Sequence, residues 1–140
     1  MAHEGGFSVA SVVATCDTLL HRSLSGSVDV DEILQNDQLP RAVATELTTI
    51  SRAFLAFRTQ VEQLRAALQS TAQIAPELQQ SLAASLRSCD GVAAVMGKQV
   101  RRFGPQTDPA TLDLGAIKRY KEFLSQYETI FIMQTDLLKL

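Results

Sequence analysis

One amphipathic stripe limits what this chain can fold into. Within residues 39–69, large apolar side chains recur at alternating steps of four and three positions. They are Val43, Leu47, Ile50, Phe54, Phe57, Val61, Leu64 and Leu68. This spacing places all of them on one face of an α-helix, whereas the side chains of a strand change face at every residue. A helix of about 45 Å gains most of its stability by burying such a face against other helices. The stripe therefore predicts a helical bundle.

A second stripe near the N-terminus predicts a first helix from the N-cap Ser8 to about Ser23. Its apolar positions are Val9, Val12, Val13, Cys16, Leu19, Leu20 and Leu24. The opposite face is polar but carries little charge. Two interpretations stay open: an ordinary bundle helix, and a helix that leaves the bundle to lie in a bilayer or to bind a partner.

The pattern breaks between the first helix and the long central one. A run of turn-forming residues occurs at Ser25, Gly26 and Ser27. Residues 25–39 are therefore predicted to form a loop with one short helical turn. Pro40 then fits the first turn of the central helix, where a missing amide hydrogen costs nothing.

A third helix is predicted over residues 76–103, stopped by Gly104 and Pro105. Its stripe comprises Leu78, Leu82, Leu86, Cys89, Ala93, Met96, Val100 and Phe103. The short connection before it predicts that the second and third helices pack as an antiparallel hairpin. Gly91 and Gly97 inside the third helix indicate either a close helix approach or a bend.

A broad apolar face after the loop at residues 104–111 predicts the fourth helix. It comprises Leu114, Ile117, Tyr120, Phe123, Leu124, Tyr127, Ile130, Phe131, Met133, Leu137, Leu138 and Leu140. The predicted fold is an all-α antiparallel four-helix bundle with long second, third and fourth helices, forming a single domain over residues 1–140. The final leucines either cap the bundle or lead into a following domain, and we expect the natural polypeptide to continue beyond them.

The composition narrows the classes of function. The chain has 140 residues, of which 46% are hydrophobic, as is typical of one domain. Its formal net charge of −2 gives no overall attraction to nucleic acid, so we expect no nucleic-acid partner. The apolar run at residues 7–14 is too short to span a membrane and lacks the basic segment of a signal peptide, so we expect a cytoplasmic protein.

The residue types that carry chemistry are sparse and poorly placed for it. Cys16 and Cys89 both lie on apolar stripes, which favours reduced thiols in a core over a disulfide or a metal site. His3 and His21 have no metal-ligating neighbours at suitable spacing, and Cys16 and His21, five residues apart, face different sides of a helix. We therefore predict no enzymatic activity, no metal and no cofactor.

Basic residues flank the third interhelical connection: Lys98, Arg101, Arg102, Lys118, Arg119 and Lys121. One interpretation is a single basic patch at one end of the bundle, suited to an anionic membrane surface or an acidic partner. The other is that cations simply decorate a helix end, since the carbonyl end of a helix dipole favours positive charge.

Four segments together carry a resemblance to a known family. They are Phe7-Ser8-Val9-Ala10-Ser11-Val12-Val13, Glu46-Leu47 at the start of the long stripe, the positions Leu82, Leu86, Cys89 and Val92, and Lys118-Arg119-Tyr120 before the last helix. In this pattern the chain resembles the N-terminal helical domains of fungal STAND proteins, which are intracellular NOD-like receptors. The group includes the HeLo and HeLo-like domains.

The resemblance implies a non-enzymatic effector or signalling domain in cell death or incompatibility. An oligomerisation domain elsewhere in the receptor would gather several copies, raising their effective concentration and switching on self-association. The working part would be the first helix, with Phe7, Val9, Val12, Val13, Cys16, Leu19 and Leu20 as candidate effector residues and a membrane surface as a further target. The alternative function is a protein-interaction or scaffold domain that homodimerises or docks another domain without membrane activity.

Overall fold

The computed structural model describes residues 7–101 and 113–140, with backbone only at residues 99–101. It contains four α-helices: α1 Val9–Leu34, α2 Arg41–Ser70, α3 Pro76–Arg101 and α4 Leu114–Leu138. In these described ranges there is no strand, and the helices pack around one apolar core. The predicted all-α four-helix bundle is confirmed. The predicted core position Phe103 and the loop at residues 104–111 lie outside the described residues, as does the side chain of Val100.

The apolar side chains of the long central stripe form a large part of the core. All eight of its apolar residues are buried in α2. Pro40 stands at the N-cap, one residue before the helix, and its carbonyl oxygen accepts the hydrogen bond from the Ala44 amide at 3.0 Å. The prediction placed Pro40 in the first turn, which is one position too far into the helix; proline is tolerated at the N-cap because the amide there has no partner within the helix.

The loop predicted over residues 25–39 is wrong, because α1 continues without interruption to Leu34. The reason is a close helix approach at Gly26, which is buried against the ring of Phe54 on α2. A Cβ atom added at Gly26 would lie 2.6 Å from Phe54 Cζ. Beyond this contact Val30 and Ile33 extend the buried stripe of α1. The burial offsets the intrinsic cost of glycine in a helix, about 1 kcal/mol.

The helices do not pack in the order of the chain. α2 contacts α1 and α4 extensively, while α3 contacts α1 and, less extensively, α4. Among the described residues α2 and α3 therefore lie across the bundle diagonal, and the prediction that they pack as a hairpin is wrong. Helices spaced about 10 Å apart have a diagonal of about 14 Å, and the connection at residues 71–75 reaches it because five extended residues span up to about 17 Å.

Contacts between helices fix their directions. The ion pair Asp17–Arg65 and the hydrogen bond from Ser51 to Asp31 show that α1 and α2 are antiparallel. Consecutive helices alternate in direction, which leaves α1 parallel to α3 and α2 parallel to α4. The start of α1, the connection at residues 71–75 and the end of α4 share one end of the bundle, here the near end. The α1–α2 connection marks the opposite, far end.

Candidate interaction surfaces

The candidate effector residues of α1 are largely part of the core. Val12, Cys16 and Leu19 are buried. Phe7, Val13 and Leu20 are partly buried and pack against the same core, whereas Val9 is exposed at the near end. The stripe that the family resemblance assigns to effector action therefore holds the bundle together in this conformation.

Releasing α1 would be expensive. Its buried apolar side chains are Val12, Cys16, Leu19, Val30 and Ile33. At about 1.5–3 kcal/mol for each side chain, returning these five to water would cost about 7–15 kcal/mol. A typical domain has a total free energy of unfolding of about 5–15 kcal/mol. Release of the whole helix would thus be equivalent to unfolding the domain.

The four candidate basic residues whose side chains the structure describes lie at the far end, but they do not form a uniform positive surface. Lys98 and Lys118 are exposed. Arg119 lies 3.8 Å from Asp113, and Lys121 Nζ lies 3.8 Å from Glu46 Oε2, an otherwise unsatisfied buried oxygen. Of the remaining candidates, Arg102 is outside the described residues and Arg101 is described in its backbone only. At least two of the six cations are therefore partly neutralised.

The two cysteines are chemically quiet. Both are free thiols with no exposed surface. Burial raises the pKa of the Cys16 thiol to about 12, with a smaller contribution from the neighbouring Asp17 carboxylate. Burial also raises the pKa of Cys89, again with help from an adjacent carboxylate, Asp90. At neutral pH both thiols are protonated and act as small apolar side chains.

One cleft lies between the start of α1 and α3. It has a volume of about 550 Å³ and a shallow, open form, with Ser11, Ala84 and Arg87 in its wall. A smaller cavity of about 220 Å³ is lined by residues that include His21 and Ser25, between which no hydrogen bond forms. No group of three or more potential metal ligands occurs in the part of the chain that the structure describes.

Polar side chains hold the seam between α3 and α4. Gln134 is buried, and its Nε2 donates to the hydroxyls of Ser81 at 3.1 Å and Ser85 at 2.9 Å. Tyr127 donates its hydroxyl hydrogen to Ser88 Oγ at 3.0 Å. Sequence reasoning missed this network, although the run of serines spaced four and three apart on one side of α3 was a usable signal.

Large apolar side chains are also exposed on the outside of the bundle. They are Val9, Leu24, Val28, Leu55, Val92, Val95, Ile132, Met133, Leu137 and Leu140. Besides Val9 at the start of α1, three of them, Leu24, Val28 and Leu55, lie on α1 and α2. Sequence reasoning missed this group, since it placed Leu24 in a buried stripe and Val28 in a loop. Only Leu55, outside the stripe of α2, was a visible signal.

Comparisons with protein-family models, with curated proteins and with solved structures found no match to this chain. Over residues 7–101 and 113–140, no helix combines the length and the apolar character needed to cross a membrane.

Proposed function

We propose that this chain is a non-enzymatic helical effector or signalling domain that acts by self-association. The observation that supports it is that large apolar side chains are exposed on the outside of the bundle. Among the described residues a continuous core is buried, yet nine large apolar side chains remain exposed on the helices, and a tenth, Leu140, follows α4. Exposed apolar surface of this kind favours binding to another protein surface. The resemblance to fungal STAND proteins supplies the setting, at the head of an intracellular receptor in cell death or incompatibility.

In this proposal association is weak until copies are gathered. An interface made of a few half-exposed side chains falls in the small, transient class. Tethering several copies through another part of the receptor raises their effective concentration to the millimolar range, where a weak contact becomes populated. The signal is then the assembly itself, and no bond is made or broken by the domain.

Membrane targeting by α1 is a second part of the proposal and has a stricter requirement. The buried residues of α1 reach a bilayer only if the helix leaves the core, at a cost of about 7–15 kcal/mol. Binding to lipid, or contacts between assembled copies, would have to offset that cost. Phe7 and Val9 at the near end are the effector residues that need no such release, because they lie at the edge of the core.

The experiment fuses the chain to a dimerisation module controlled by a small molecule. We expect the untethered chain to self-associate near millimolar concentration in sedimentation equilibrium, and toxicity in fungal cells to follow the inducer of the fusion. Liposome leakage is measured beside it with the double variant Phe7→Ser, Val9→Ser, which keeps the core. Lower leakage by the variant supports the membrane part. An untethered chain that is still monomeric at about 1 mM refutes self-association.

The alternative, a protein-interaction or scaffold domain, is favoured by the apolar end of α4. There Met133, Leu137 and Leu140 are exposed at the near end, on a helix that otherwise completes the core. A scaffold would form a stoichiometric complex without an inducer and would ignore liposomes. Light scattering of the untethered chain at micromolar concentration therefore separates the two functions.

A further inference from the structure

We propose that the outer face formed by α1 and α2 is a homodimer interface, in which α1 of each copy packs on α2 of the other. The two-fold axis runs parallel to the helices. This inference rests on the proposed self-association and names its surface, the α1–α2 face, and its occupant, a second copy of the chain.

Two polar contacts define the register of the α1–α2 face. Arg65 Nε donates to Asp17 Oδ1 at 2.6 Å near one end, and Ser51 Oγ donates to Asp31 Oδ1 at 3.3 Å near the other. In an antiparallel pair, a step forward along α1 matches a step back along α2. Both contacts fit the same register, so they frame a continuous stretch of the face between them.

The middle of that stretch is apolar. Leu24 lies two turns from Asp17 and two turns from Asp31, on almost the same line of α1, because seven residues make close to two helical turns. Val28 follows one turn after Leu24, at the level of Leu55 on α2. These three side chains are 49%, 47% and 61% exposed, respectively. The α1–α2 face therefore has an apolar centre framed by polar contacts.

Charge is divided between the two helices of the face. Three acidic residues of α1 are exposed along it, namely Asp17, Asp31 and Glu32, and α2 carries Arg41, Arg52, Arg58 and Arg65. The one acidic side chain on the same side of α2, Glu62, is paired with Arg58. Glu32 and Arg52, at the two outer edges, form no ion pair with any residue that the structure describes. They lie within about 3 Å of the same level, because Asp31 is opposite Ser51 and two helical residues rise about 3 Å.

This division of charge selects the symmetry of the dimer. A two-fold axis parallel to the helices places the acidic α1 of each copy on the basic α2 of the other. Val28 then meets Leu55 of the second copy, and Glu32 meets Arg52 of the second copy. A two-fold axis across the helices would instead place α1 on α1, acid against acid, which like-charge repulsion disfavours. Both arrangements close as dimers, and only the first is complementary.

The size of the face suits a dimer. With 26 residues, α1 is about 39 Å long at 1.5 Å per residue. Two neighbouring helices about 10 Å apart present a surface about 20 Å wide. The product, roughly 800 Å², equals what one partner contributes to a standard protein interface. With three apolar side chains at its centre, the contact falls at the weak end of that class.

The primary test is sedimentation equilibrium of the full chain up to about 1 mM, comparing Leu55→Asp with Val95→Asp. Val95 lies on α3 and is 58% exposed, so it is a matched control for Leu55. We expect Leu55→Asp to raise the dimer Kd at least tenfold and Val95→Asp to leave it unchanged. Equal effects of the two substitutions would overturn the interface while leaving self-association intact. A wild-type chain that is still monomeric at about 1 mM, the effective concentration that tethering provides, would refute the proposed function itself.

Two further measurements test the symmetry. Arg52→Glu and Glu32→Arg should each raise Kd about threefold to tenfold, and the double variant should return it toward the wild-type value. Cross-linking then uses Val28→Cys and Leu55→Cys. An intermolecular disulfide should form when the two single variants are mixed and not in Val28→Cys alone. Efficient cross-linking of Val28→Cys alone, or no rescue by the charge exchange, contradicts the parallel axis.

Discussion

Replacing Gly26 by alanine tests whether the tight contact between α1 and α2 is real. The added Cβ would lie 2.6 Å from Cζ and 2.7 Å from Cε1 of Phe54. Real Cβ atoms essentially never approach other atoms so closely, so something must move. Phe54 is only 1% exposed and packs edge-on against Tyr120, with ring centroids 5.1 Å apart, so its ring has little room to shift.

The size of the effect follows from two opposing terms. Overpacking a well-packed core typically costs about 1–3 kcal/mol. Alanine in place of glycine in a helix gains about 1 kcal/mol. We therefore expect Gly26→Ala to lower the free energy of unfolding by up to about 2 kcal/mol. A glycine in the loop predicted from sequence would instead tolerate alanine with little change.

Gly91→Ala is the matched control, since a Cβ there meets nothing within 4 Å. Both substitutions gain the same helix propensity, so the difference between them isolates the clash with Phe54. Urea denaturation of the two variants gives that difference directly. A second control, Gly26→Ala with Phe54→Leu, should show positive coupling, because the smaller side chain relieves the clash. If both alanine variants stabilise the chain equally, the close approach is refuted.

Three other predictions concern the core and the α3–α4 seam. Gln134→Ala should lower the free energy of unfolding by about 1–3 kcal/mol, because Ser81 and Ser85 lose their buried hydrogen-bond partner. Thermal unfolding of Gln134→Leu, which keeps most of the side-chain volume, separates the loss of hydrogen bonds from the loss of packing. Val61→Ala in α2 should lower the free energy of unfolding by about 2–4 kcal/mol, because it leaves a cavity in the core. Leu55→Ala, at an exposed site on the same helix, should change the stability of the monomer by less than about 0.5 kcal/mol. Similar losses for the two variants in chemical denaturation would contradict the described burial. The free energy of unfolding should also fall from pH 9 towards pH 12, because the Cys16 thiol ionises near pH 9.0 in the unfolded chain and near pH 12 in the folded one. The double variant Cys16→Ala, Cys89→Ala should lose this part of the pH dependence; an unchanged slope would show that the buried thiols do not cause it.

Much of the fold could be predicted from periodicity. The eight apolar residues of α2 recur with the period of a helix, and every one of them is buried. The prediction of a turn from local residue composition was wrong. Ser25, Gly26 and Ser27 have the composition of a turn, yet Gly26 serves a contact with a residue almost thirty positions away. A close approach between helices is set by tertiary packing, which a local signal does not contain.

Which helices are neighbours in the bundle was also not predicted correctly from the sequence. Loop length predicted that α2 and α3 are neighbours, but the rings of α2 pack instead on α4, where Phe54 meets Tyr120 and Phe57 meets Phe131. The α1–α2 face was beyond sequence reasoning for a related reason. Leu24, Val28 and Leu55 become one surface only when the register between two helices is fixed.

The central claim is that self-association uses the outside of an intact bundle, with α1 kept in its core. Amide hydrogen exchange, followed by mass spectrometry on the chain fused to the inducible dimerisation module, tests it most directly. We expect the amides around Val12 to Ile33 to be protected as strongly as those of α2, and protection to be retained or increased when assembly is induced. Loss of protection throughout α1 on assembly would contradict the account, because it would mean that the helix leaves the core to act.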